Sequence, residues 1–509
     1  MSGQDIHPNK YSELRSKYKY YIDSYVALYQ LKTEKEEEIN KIYKMIKTSL
    51  IDSNGYPPKR IMKDILNIIP YNNRYTKSYL LLAKLVSDDY HVNEINKVEL
   101  ISNFMFYKEY GIKLNKSDNF ETINSKNLYI HTEDTIYRAI MNNDLERFIT
   151  FTEREELDEN QKLKCDLYPY SYYGYSLLEL CCYHGAVDCF KLLRTKFKSE
   201  ITPTCLKLSF LGRNPEIMSE CLKYQKPNEY CMGYAIISHN IDFVTFLMNE
   251  YNREIDLEDC EIYNNLESFL VYFDQTNDIN ECFLYSPIFN IPSLCEYFLS
   301  LGANIKVKDN SLRTALHYAA RENSTKSIEV LLSHGANIND LDGFFETALH
   351  YAAKYNSKET VEFLISHGIN INEKDKYGET ALHYAVYNNS KEIAELLILH
   401  GININEKDEF GQTALHIAAE KNSKEIAELL ISHGANINEK DKHGKTAFHI
   451  AAEKNSKETA EFLISHGANI NDKDKYGETA LYIAAENNRK ETAELLISHG
   501  ANINEKNEE

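Results

Sequence analysis

Residues 432–455 read SHGANINEKDKHGKTAFHIAAEKN and place three histidines (His433, His443, His449) and a Gly-Lys-Thr (Gly444, Lys445, Thr446) within 24 residues. Imidazoles at that density are the raw material of a zinc site, and Gly-Lys-Thr ends the loop that cradles phosphates. A phosphate loop also needs a glycine five residues before the last one, so that backbone amides can wrap the anion, but residue 439 is Glu. Zinc needs about four convergent ligands. Whether these histidines converge depends on the elements that carry them.

Those elements repeat. TALHYAA begins at Thr314 and Thr347, TALHYAV at Thr380, TALHIAA at Thr413, TAFHIAA at Thr446 and TALYIAA at Thr479, every step being 33 residues. Gly335, Gly368, Gly401, Gly434, Gly467 and Gly500 keep the same step, so six units fill residues 309–506. In the unit 408–440, Leu415, Ala418 and Ala419 make the apolar stripe of a short helix. Asn422 suits a left-handed turn, and Ser423 is placed to cap a second helix that buries Ile426, Ala427, Leu429 and Leu430. Gly434 ends that helix, and ANINEKDEFG reads as a long polar turn. Neither helix is long enough to stand alone, so each unit must bury its stripe against its neighbours.

The pattern D-x-x-G-x-T-A-L-H-x-A-A, a second helix, then L-L-I-S-H-G-A-N-I-N resembles the ankyrin repeat over 309–506. Departures are Ala after the Thr where the family favours Pro, Asn422 and its equivalents in place of a mid-repeat Gly, and Leu312 and Phe345 in place of the tip glycine, which predicts distorted tips in the first two units. The resemblance implies an all-α ankyrin solenoid with β-hairpin-like tips. It assigns a structural hydrogen-bonding role to Thr314, His317, Thr347, His350, Thr380, His383, Thr413, His416, Thr446, His449 and Thr479. On this comb the histidines are a ladder that does not converge, and Lys445 stands where Glu379, Gln412 and Glu478 stand in other units. No metal, cofactor or catalytic residue is expected; His416 has no recurring Ser, Cys or carboxylate beside it to act on.

Upstream, 281–308 follows the next unit in phase and reads as a diverged seventh. Weaker two-helix echoes lie at 136–151, 174–197, 204–224, 233–251 and 263–278. Residues 1–130 show helical spacing without a repeat, with Thr33 and Glu36 forming a capping-box pattern. The expected domains are therefore an N-terminal helical module (1–130), diverged ankyrin-like repeats (131–308) and the regular array (309–506). This order is similar to that of a large ankyrin-repeat paralogue family of parasitic protists, whose middle region is catalogued as a domain of unknown function. That resemblance implies architecture and no activity.

The positions that vary between near-identical units bear most on function. An aromatic ring stands at each tip from the second unit on, as Phe344, Tyr377, Phe410, His443 and Tyr476, and the first helices end on variable residues such as Tyr355, Tyr387, Lys421 and Lys454. By the resemblance these two sets line a groove that grips partners, and exposed aromatics make interface anchors; the alternative is that neighbouring tip rings pack on one another. Formal charge is −20 over the chain, of which −12 falls in 309–509. This argues against a protein that holds nucleic acid by charge and favours a protein partner of basic or mixed surface.

No run approaches the ~18 apolar residues of a membrane span, and MSGQDIHPNKYSEL lacks the apolar core of a leader. All ten cysteines lie between Cys165 and Cys295 with no CxxC, as expected for buried thiols in a reducing compartment. The sequence thus predicts a non-enzymatic scaffold or adaptor, cytoplasmic with the nucleus as alternative. It is expected to be a monomer, or to associate end to end because the last unit keeps its apolar set (Leu481, Ala485, Leu495, Leu496) before the polar NINEKNEE. Two other readings stay open: a targeting arm for an activity in 1–308, and a spacer whose repeat number sets length.

Overall fold

A computed structural model describes residues 10–95, 97–116, 118–123, 134–153 and 161–503. The leader and tail expectations fall largely on residues 1–9 and 504–509, outside the described residues. Among those described, the chain is thirty α-helices with one two-stranded antiparallel sheet, Lys162–Leu163 against Tyr175–Ser176. No helix among them is long and apolar enough to cross a membrane. By its internal contacts the chain divides into two compact bodies, Met1–Asp278 and Ile279–Glu509.

In the first body, helices Lys10–Lys17, Lys19–Tyr29, Glu36–Ile46, Pro58–Asn67, Thr76–Tyr90 and Leu100–Tyr110 precede helix pairs that begin at Ile136–Asn142. The expected capping box at Thr33 is displaced: the Thr33 hydroxyl accepts from the Lys35 amide at 3.1 Å. Each later pair turns on a residue in the left-handed region: Gly185, Arg213, His239 and Asn264, spaced closer than 33 residues because these units lack the long tip. Those turns meet the N-terminal helices. Arg213 donates to the Tyr29 carbonyl at 2.9 Å, Gln30 donates to that of His239 at 2.6 Å, and Tyr21 and Arg60 both reach the Asn264 side-chain oxygen at 3.2 Å. Tyr29 also stacks on the His239 ring, with centroids 4.1 Å apart. The tyrosine richness of the head thus has a use, since a ring such as that of Tyr21 buries apolar area while its hydroxyl finds a polar partner.

In the second body, a diverged pair (Ile279–Tyr285 and Pro292–Ser300) leads into six regular ones, from Ala315–Arg321 and Thr325–Ser333 to Ala480–Glu486 and Lys490–Ser498. First helices pack on first helices of the next unit and second on second. Ala319, Ala352, Ala385, Ala418, Ala451 and Ala484 are fully buried at these junctions, where a larger side chain would hold the helices apart. Asn323, Asn356, Asn389, Asn422, Asn455 and Asn488 all take the left-handed turn between helices, with φ from 52° to 62°. Asparagine does here what glycine cannot: the Asn422 side-chain oxygen accepts from the Thr459 amide at 3.2 Å, capping the second helix of the following unit. The expectation that Ser423 caps its own helix is corrected accordingly, because its side chain makes no capping bond.

The first two tips keep the turn expected to distort. Leu312 and Phe345 lie at φ 61° and 63°, in the same region as Gly378 at 76°. Glycine at the later tips also answers a close approach: a Cβ on Gly411 would lie 2.9 Å from the Lys442 amide nitrogen of the next tip.

Candidate partner-binding face

The tips are joined by a backbone ladder. Lys376 N–H donates to the Phe344 carbonyl at 2.7 Å, Glu409 to Tyr377 at 2.7 Å, Lys442 to Phe410 at 2.9 Å and Lys475 to His443 at 2.9 Å. Each tip opens on an aspartate whose Oδ1 accepts two amides of its own turn; for Asp375 these are Tyr377 at 2.9 Å and Glu379 at 2.7 Å. With the backbone satisfied in this way, the rings project outward. Phe344, Tyr377, Phe410 and Tyr476 are 41–59 % exposed, and His443 is exposed as well. One pair of tip rings meets among the described residues, His443 and Tyr476, with centroids 6.5 Å apart.

The first-helix ends are less free. Tyr355 and Tyr387 are exposed, but Lys421 Nζ lies 3.8 Å over the Tyr387 ring and Lys454 Nζ lies 3.4 Å from Glu453.

Beneath them runs the Thr-His motif. In each of the first five units the Thr hydroxyl lies 2.9 Å from the Nδ1 of its histidine (Thr314–His317, Thr347–His350, Thr380–His383, Thr413–His416, Thr446–His449), and the Thr amide donates to the same nitrogen. Since Nδ1 accepts, Nε2 carries the proton. It donates to the next unit's backbone from His317 to Glu346, His350 to Glu379 and His416 to Lys445, at 3.1–3.3 Å, whereas His449 donates within its own unit to Asp472 at 3.1 Å. Burial pushes all five histidines below their usual pKa. Thr479, followed by Tyr482 rather than His, accepts only the Tyr482 amide at 3.3 Å.

The histidines before glycine use the opposite tautomer. His433 Nδ1 donates to the Leu429 carbonyl at 2.9 Å and closes the end of its helix. Of the three histidines in 432–455, then, one caps a helix end, one pairs with Thr446 and one stands at a tip.

A further row, Arg313, Glu346, Glu379, Gln412, Lys445 and Glu478, varies in the sequence and faces the groove. Glu346 is buried, bonded by Lys354 Nζ at 2.9 Å and by the Tyr384 hydroxyl at 2.6 Å, so that tip and first helix are tied across the groove. Tyr384 also donates to Asp375 Oδ2 at 2.9 Å, as Tyr318 does to Asp309 at 2.8 Å and Tyr351 to Asp342 at 3.0 Å. In the last three units those tyrosines are Ile417, Ile450 and Ile483, and Asp474 Oδ2 is buried without a partner. Lys445 is half-buried and pairs with Glu453 at 2.7 Å. Glu379 has no hydrogen-bond or ion-pair partner for its carboxylate among the described residues. Burial, then the carboxylates of Asp375, Asp408 and Glu346, raise it to about 7. The row is signalled in the sequence by the variation that marks the tip rings.

Family models agree with this geometry. Ankyrin repeats (3 copies) matches residues 263–342, 282–375, 338–408 and 415–507, and Ankyrin repeats (many copies) matches 391–431. Residues 263–507 are an array of ankyrin repeats. Upstream of the ankyrin array, Domain of unknown function (DUF3447) matches 197–272, within the helix pairs of the first body. No curated protein matches the chain. Ankyrin repeats are in general protein–protein interaction modules, and proteins built from them are typically non-enzymatic scaffolds.

Proposed function

We propose that the ankyrin array binds a partner protein through its tip rings and first-helix ends, and that the chain acts as a non-enzymatic scaffold or adaptor. The observation that carries this reading is the separation of labour at the tips. Main-chain groups are used up in the ladder, while Phe344, Tyr377, Phe410 and Tyr476 stand exposed on a frame that holds them in register. Rigid aromatic anchors lose little entropy on binding.

A partner with basic or mixed surface suits the groove. Glu379, only half-buried, offers an acceptor without an internal donor, and a lysine or arginine would meet that need. A reducing, intracellular location is supported by ten free cysteines, nine of them buried.

The test is binding by the full chain carrying Tyr377→Ala and Phe410→Ala together, against a partner captured by the wild type from its own cell lysate and identified by mass spectrometry. Affinity should fall about tenfold or more, with helical circular dichroism and melting temperature unchanged. Equal affinity would overturn the reading.

A further inference from the structure

Within the first body a cleft of about 650 Å³ lies between helices Glu229–Ile237 and Leu257–Ile262, a size in the range of roughly 300–1,000 Å³ that holds small ligands. All of its lining falls inside the domain of unknown function. Tyr234, Tyr263, Met232 and Ile237 give it aromatic and aliphatic walls; Glu229, Glu254 and Asp256 line it as exposed, solvated carboxylates, and Arg253 and Asp259 bring opposite, part-buried charges into it.

Neither charge is neutralised. Asp259 is half-buried, and its carboxylate forms no hydrogen bond or ion pair among the described residues. Burial first, and then Asp256 and Glu258, raise its pKa to about 6. Arg253 has a buried Nε without a partner, and its guanidinium pairs with no carboxylate among the described residues, Asp259 included. Unpaired charge at such a place destabilises a fold, and two opposite charges in one cleft would ordinarily be expected to meet.

Gly233 makes room for one of them. It sits inside a helix without a left-handed turn to explain it, where glycine is less stable than alanine. A Cβ there would stand 2.8 Å from Asp259 Oδ2. The helix is therefore bare where the carboxylate lies against it.

A ligand that satisfies both charges must carry a cation and an anion together. We propose that this cleft binds a zwitterion of the amino-acid class, with its ammonium on Asp259, its carboxylate on Arg253 and its side chain against Tyr234, Tyr263 and Ile237. The site is independent of partner binding by the ankyrin array.

Calorimetric titration of the full chain tests it with L-leucine and with the two molecules that each lack one charge, 3-methylbutylamine and 4-methylpentanoate. L-tyrosine, tyramine and 3-(4-hydroxyphenyl)propionate form a second series. In at least one series the amino acid should bind about tenfold or more tighter than either half. Asp259→Asn should erase its advantage over the acid, and Arg253→Gln its advantage over the amine. An amine that binds as tightly as its amino acid would reduce the cleft to a cation site and overturn the proposal, as would the absence of binding by both amino acids at millimolar concentration. The comparison on the wild-type chain stands even if a variant does not fold.

Discussion

The Nε2 of His416 lies 3.1 Å from the carbonyl oxygen of Lys445, while its Nδ1 accepts the Thr413 amide at 3.1 Å. Both ring nitrogens are spent, one inside the unit and one on the next, which fixes the neutral tautomer. His416→Ala leaves that amide and that carbonyl without these partners and should lower stability by about 1–3 kcal/mol. The midpoint of urea unfolding measures it, and an unchanged midpoint would refute the bracing role. Because burial holds the folded pKa below 6.5, the contribution is present above that value and is lost as pH falls through the folded pKa.

Tyr384 joins three elements through one hydroxyl, bonding Glu346 at 2.6 Å and Asp375 at 2.9 Å. Tyr384→Phe removes the donor and leaves two buried carboxylates short of a partner. A loss of about 1–3 kcal/mol is expected, seen as a lower melting temperature at neutral pH; a melt that coincides with wild type would show that Lys354 alone satisfies Glu346.

Glu379 works in the other direction. Its folded pKa, about 7 against a usual 4.5, means that the fold favours the protonated form. The stability that this gives is complete below pH 4.5 and is lost as pH rises through 7. Glu379→Gln should therefore melt with wild type at acid pH and roughly 2–4 °C above it once the carboxyl is ionised. Parallel melting curves across the pH range would rule out the strain assigned to this carboxylate.

Phe345 occupies a left-handed turn at φ 63° with its ring 53 % exposed. Little packing is lost on removing the ring, whereas the backbone strain of a non-glycine residue there is about 1–2 kcal/mol. Phe345→Gly should raise the urea midpoint, after allowance for the greater freedom of glycine in the unfolded chain. A lower midpoint would mean that the ring packs on something it is needed to hold.

Much of this architecture was legible because a 33-residue comb aligns like with like. Gly434 and Asn422 announce their turns, since few residues enter the left-handed region at low cost. The Thr-His pairs stand close enough in sequence to be read as one motif. What stayed hidden joins residues that no local window contains. Asn422 caps the second helix of the next unit through Thr459, 37 residues on, whereas Ser423 beside it makes no capping bond to its own helix. Tyr21 and Tyr29 show helical spacing, but their partners, Asn264 and Arg213, lie more than 180 residues away. Lys445 and Glu379 stand in a column that varies from unit to unit as the tip column does, and variation alone does not tell a groove position from a free one. Arg253 and Asp259 belong to no motif, and only the fold brings them to one cleft.

The backbone ladder at the tips has a consequence for how this chain can change length. Each rung runs between residues 32 apart, as from Phe344 to Lys376 and from Tyr377 to Glu409, and the Thr-His system closes over 29, as from His416 to Lys445. Removing or adding one whole unit re-forms every rung with equivalent partners. Any other insertion in the helices or tips moves these paired groups out of register along the seam. The array is thus quantised: it can grow or shrink in complete cassettes, each bringing one more ring to the row, and the reach of the protein and the number of its contacts are set by the same integer.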